Sequence, residues 1–129
     1  MRVKNFNLSS GTQIFKSFSD EARVRILNLL FHCGELCISD LEQILDFTQT
    51  KTSRHLIYLK NAGIVRFRKN DQWVFYAVKE EVTEFVKKIF DYIKKDQTLQ
   101  NDIEIFHTLQ SNRELASSKL MERKFVSTP

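Results

Sequence analysis

The apolar positions of this chain follow a helical period, change to a period of two in the middle, and then return to the helical one. Ile14, Phe15 and Phe18 space as a short first helix, with Phe6 and Leu8 packing ahead of it. Ser19 stands where a second helix needs its cap, and Asp20 and Glu21 fall in the first turn, where the helix dipole favours carboxylates. Ala22, Ile26, Leu27, Leu29 and Leu30 carry that helix to a left-handed stop at Gly34. Ser39 and Glu42 spell a capping box in "SDLE", and Leu41, Ile44 and Leu45 form the stripe of a short third helix ending near Asp46. Thr48 caps a fourth helix whose inward positions, Thr52, Leu56, Leu59 and Ala62, recur at steps of four and three until Gly63 ends it.

On that fourth helix Gln49, Thr50, Ser53, Arg54 and Ile57 face away from the stripe, with Lys51, His55 and Tyr58 on a flank. After Gly63 the period is two: "IVRFRK" and "WVFYAV" surround "NDQ", so Val65, Phe67, Phe75 and Ala77 alternate with polar or basic positions. This predicts a two-stranded hairpin turning at Asn70-Asp71, with Arg66, Arg68 and Lys69 outward. From Glu80 the helical period returns in Val82, Phe85, Val86, Ile89, Phe90 and Ile93, and again in Leu99, Ile103, Phe106 and Leu109.

Two short helices joined by "DFT" and followed by a hairpin predict a mainly α fold with a small β-hairpin, a winged helix-turn-helix. The terminal stripes hold more large apolar side chains than one small winged unit covers. This predicts a homodimer sealed by the N- and C-terminal helices. We divide the chain into residues 1–95, the winged unit with the first terminal helix, and 96–129, a C-terminal helical extension whose last stretch, "ASSKLMERKFVSTP", is weakly patterned.

Length and composition add limits. At 129 residues the chain suits one domain with a real core, and it has no apolar run of ~18 residues to span a membrane. "MRVKNFNLSS" has two positive charges but no apolar stretch behind them, unlike a secretory signal. A cytoplasmic protein is expected, with Cys33 and Cys37 reduced.

The formal charge of +4 is concentrated in one block. Between Thr48 and Lys79 lie Lys51, Arg54, Lys60, Arg66, Arg68, Lys69 and Lys79, with Asp71 the single acid. The segments on either side are nearly balanced. Surfaces usually mix the two signs, so this segregation points to a polyanionic partner, double-stranded DNA for a helix and hairpin together. Catalysis finds no support: there is no nucleophile elbow, glycine-rich phosphate loop or "HExxH", and Ser53 and His55 occupy helix positions that do not face each other. The competing reading is a winged module that binds proteins through Trp73 and Tyr58.

Three segments, "SFSDEARVRILNLL", "TSRHLIYLKNAGIVRFRK" and "WVFYAV", together with "GELCISDLEQIL", resemble the ArsR/SmtB family of bacterial winged-helix repressors over roughly Ile14 to Ile93. The resemblance implies a dimeric repressor that binds an imperfect palindrome and leaves it when an effector arrives. It also implies base contacts from Gln49, Thr50, Ser53 and Arg54: Gln49 to an adenine edge, Arg54 to guanine or to phosphate. Lys51, His55, Arg66, Arg68 and Lys69 complete the expected DNA-binding set, with Arg68 and Lys69 placed for phosphate or the minor groove.

The family's arsenic-sensing "ELC-x-C-DL" is not matched, since Ser39 stands at the second cysteine. Cys33 and Cys37 are therefore either buried small apolar residues or a thiol-redox or metalloid site. No histidine occurs from Glu80 to Lys95, and Glu104 with His107 offers two ligands where zinc takes four. No cofactor is expected.

Overall fold

A computed structural model describes residues 6–119. Its elements are α1 (Leu8–Ser17), α2 (Glu21–Cys33), β1 (Leu36–Cys37), α3 (Ile38–Leu45), α4 (Gln49–Asn61), β2 (Val65–Asn70), β3 (Trp73–Val78), a 3-10 turn at Glu80–Val82, α5 (Thr83–Ile93) and α6 (Gln97–Ser111). This is a winged helix-turn-helix. No helix among the described residues is long and apolar enough to cross a membrane.

Two helix starts differ from the sequence reading. Asp20, not Ser19, caps α2: its Oδ1 accepts from the N–H groups of Ala22 and Arg23, while Ser19 Oγ donates back to the Lys16 carbonyl. In α3 the capping pair lies two residues earlier than "SDLE", with the Cys37 N–H donating to Asp40 Oδ2 at 3.1 Å. Ser39 is consequently inside the first turn.

Asp46 takes the left-handed conformation at φ 57° and turns the chain into α4, so the helix-turn-helix closes in three residues. Gly63, at φ 80°, lets the Ile64 N–H reach the Leu59 carbonyl and ends α4 as expected.

The sheet has three strands in the order β1-β3-β2, all antiparallel, where the period-two pattern implied two. Leu36 pairs with Tyr76 and Cys37 with Phe75, which makes β3 central. Strand β3 has a neighbour along each edge, and Phe75, Tyr76 and Ala77 are all buried, so the expected alternation fails there. Phe67 shares a face with Tyr76 but reaches past the core and is exposed.

The core gathers Ile26, Leu27 and Leu29 from α2, Leu41 and Ile44 from α3, Leu56 and Leu59 from α4, and Val86 and Phe90 from α5. Helix α6 also belongs to it. Leu99 and Phe106 are buried against α2 and α3, and the buried Asn28 amide donates to the Leu99 carbonyl at 3.2 Å. The described part of the C-terminal helical extension packs on the winged unit through Leu115. Residues 120–129 of the weakly patterned tail lie outside the described residues.

Candidate nucleic-acid interface

Helix α4 opens with Thr48, whose Oγ1 accepts from the Lys51 N–H at 3.1 Å, while Thr52 Oγ1 donates to the Thr48 carbonyl at 2.8 Å. Its buried stripe is Thr52, His55, Leu56 and Leu59. On the opposite side Gln49, Thr50, Ser53, Arg54 and Ile57 line one open groove of about 480 Å³. None of these five side chains carries negative charge. The groove is a row of amide, hydroxyl and guanidinium groups with one apolar edge, a set able to contact base edges.

His55 does not belong to that face. It stands three residues after Thr52 and four before Leu59, inside the i, i+3, i+4, i+7 stripe, and only 6% of it is exposed. Burial lowers its pKa, and Arg54, Arg23 and Lys51 add to the lowering while Asp20 opposes it. Lys51 lies on the flank, its ammonium 4.1 Å from the centre of the Phe47 ring.

Arg23 of α2 was not anticipated. Its guanidinium sits 4.0 Å over the Tyr58 ring and donates to the Ser17 and Lys16 carbonyls, tying α4 to the α1–α2 turn.

In the hairpin, Arg66 stands opposite Ala77 and Arg68 opposite Phe75, so both arginines share one sheet face; Lys69, opposite Val74, falls on the other. The expected outward trio is therefore split by the pleat. Glu35, just ahead of β1, holds both arginines. Arg68 Nε donates to Oε1 at 3.0 Å and Oε2 at 2.8 Å, and Arg66 NH1 reaches Oε2 at 3.4 Å. The Arg68 hydrogen bond keeps the Glu35 carboxyl below its usual range. Helix and hairpin abut where the Lys60 ammonium lies 5.1 Å over the Phe67 ring.

Cys33 is half-buried and Cys37 buried. Burial pushes the Cys33 thiol up to about 12. Cys37 is 2% exposed, its Sγ lies 3.2 Å from Ser39 Oγ, and burial raises it as well. Thiolates are what bind soft metals, and both sites oppose their formation. Among the described residues no group of three or more His, Cys, Asp or Glu side chains could hold a metal ion. Glu104 and His107 are both exposed on α6.

The sequence profile of bacterial regulatory proteins of the arsR family matches residues 20–66. The arsenical resistance operon repressor of Escherichia coli K12 is 42% identical over 79 residues, 61% of this chain and 68% of that protein. The cadmium resistance regulatory protein CadC homolog of Staphylococcus aureus is 39% identical over 79 residues, 60% of this chain and 65% of its own length. Among solved structures, HlyU from Vibrio cholerae superposes with a TM-score of 0.62 at 29% identity, covering 68% of this chain and 96% of that one. The homodimeric winged helix-turn-helix domain Mb0332 of Mycobacterium bovis reaches a TM-score of 0.63 at 22% identity, over 68% of this chain and 82% of that domain.

Proposed function

The chain belongs to the arsR family of bacterial regulatory proteins, and from that premise we propose that it represses transcription in the cytoplasm as a homodimer on a palindromic DNA operator, leaving when an effector binds. The observation that carries this reading is the open groove of α4, where Gln49, Thr50, Ser53 and Arg54 lie side by side with no carboxylate among them.

Seated in a major groove, Gln49 would pair with adenine, Arg54 with guanine, and the two hydroxyls would make shorter contacts. Lys51 and Lys69 would hold phosphates, as would Arg66 and Arg68. Contacts of the second kind fix register and supply affinity, while the first kind select sequence.

The dimer is proposed through α1 and α5. Phe15 packs against Phe85 at 5.8 Å between ring centres, and Leu8, Phe15 and Tyr92 are 87, 61 and 90% exposed, an apolar surface suited to a second copy. Two-fold symmetry would then set the two copies of α4 on half-sites ~34–36 Å apart. The buried thiols argue against a metalloid held as thiolates, so this reading assigns the effector no cysteine ligand.

Fluorescence anisotropy with random duplex DNA over a range of salt tests the proposal. Binding should weaken with a logarithmic slope of about 0.9 per phosphate contacted. A chain that binds proteins but not DNA would show no salt-dependent signal, and that result overturns the reading.

A further inference from the structure

Glu35 sits between two features that the proposed DNA contact uses separately. Gly34, at φ 82°, turns the chain out of α2, and Glu35 follows immediately before β1. Cys37 pairs with Phe75, and Phe75 with Arg68, so one face of the sheet runs in a row from β1 across the central strand to the arginines. Glu35, two residues before Cys37, reaches along that face, where the small Ala77 stands opposite Arg66.

One carboxylate thereby engages two guanidinium groups, with its shorter contact to Arg68 at 2.8 Å. The side chains remain open to water: Arg66 is 44%, Arg68 47% and Glu35 29% exposed.

A carboxylate with two oxygens against guanidinium N–H groups presents the same chemistry as a backbone phosphate. We propose that Glu35 is an intramolecular phosphate mimic, an autoinhibitory contact that occupies Arg66 and Arg68 in the free protein and that a nucleic-acid phosphate must displace. This rests on the DNA-binding reading above. The three groups carry a net charge of +1 rather than +2, and a phosphate that takes Arg68 Nε exchanges one charge-assisted bond for another instead of adding one. The hairpin therefore contributes less to undirected DNA binding than its two arginines suggest, and the protein leaves unrelated duplex more readily. Exposed ion pairs are weak enough to open on the approach of DNA, so the contact is a discount on affinity and not a block.

The test compares the full chain with Glu35→Gln on random duplex DNA across a salt series. The amide keeps the size of the side chain and removes its charge. Glu35→Gln should bind more tightly, roughly five-fold per phosphate gained at 0.15 M salt, with the slope steepened by about 0.9 for each. In an Arg66→Ala/Arg68→Ala background the same change should have no effect. Unchanged or weaker binding by Glu35→Gln overturns the proposal, weaker binding marking Glu35 as a residue that orients the arginines for DNA. Strengthening that persists without the arginines also overturns it, as a general charge effect. Failure of the wild-type chain to bind DNA at all would remove the underlying reading as well, an outcome distinct from the others.

Discussion

Arg25 and Asp102, 77 positions apart, meet in two parallel charge-assisted hydrogen bonds, Nε to Oδ2 at 2.8 Å and NH2 to Oδ1 at 2.9 Å. The Asp102 side chain is 3% exposed, and the pair clamps α6 to α2. The Arg25 guanidinium also lies 5.3 Å from the centre of the Phe47 ring, at the turn before α4. Removing the carboxylate strands a partly buried cation. Asp102→Ala should lower the unfolding free energy by about 3 kcal/mol, the order found when one partner of a buried pair is deleted. Urea denaturation measures it, and Asp102→Asn, which keeps an acceptor, should cost less.

The groove of α4 makes a two-part prediction about DNA. Arg54→Ala should weaken binding to a preferred sequence by ~1–3 kcal/mol and relax selection at one base position. Lys69→Ala should weaken all duplexes alike and flatten the salt slope by about one. Selection from a random DNA pool followed by anisotropy separates the two behaviours.

If α1 and α5 seal a dimer, each Phe15 is buried there from 61% exposure. Fully burying such a side chain stabilises by about 1.5–3 kcal/mol, and the two-fold axis counts it twice. Starting from 61% exposure only about six-tenths of that is gained per copy, roughly 1.8–3.6 kcal/mol for the pair, so Phe15→Ala should raise the dimer dissociation constant roughly 20- to 400-fold. Sedimentation velocity over a concentration series reads this directly.

Two histidines set a pH dependence: His55, buried on α4, and His32, exposed at the end of α2 with its ring 5.9 Å from that of Phe90. Burial lowers the pKa of both His55 and His32 in the folded chain. The unfolded chain takes up their protons near the ordinary value of ~6.5, before the folded chain does. The stability these neutral rings confer is complete above that value and is lost as the pH falls below it. Unfolding measured between pH 7.5 and 5 should show a falling midpoint, and His55→Gln should flatten the fall.

Much of this was legible from spacing. Thr48 as a cap, the Thr52, Leu56, Leu59 stripe and the stop at Gly63 are all local relationships, and α4 follows them. The same stripe contains position 55, so the burial of His55 was present in the spacing and was obscured by the polarity of the ring. Ser19 and Asp20 are both good caps, and the Ser19 hydroxyl is taken up by the Lys16 carbonyl, which leaves Asp20 to cap α2. Strand β1 has two residues, too few to show a period. Glu35 and Arg68 are 33 positions apart, brought together by a sheet register that no local pattern encodes. The stripe of α6 shows that it buries a face but not which neighbour covers it.

Asp40, fully buried, also accepts from the Ser117 N–H through Oδ1 at 3.3 Å, with the fully buried Leu115 beside that contact. The first helix of the DNA-reading pair is thus finished by residues made long after it. During synthesis α3 and α4 are complete while Asp40 holds only its local Cys37 partner and its Oδ1 still waits for Ser117. The helix pair therefore gains this contact only once a residue 77 positions after the carboxylate has been made, so the full set of bonds on α3 is a long-range property of the chain.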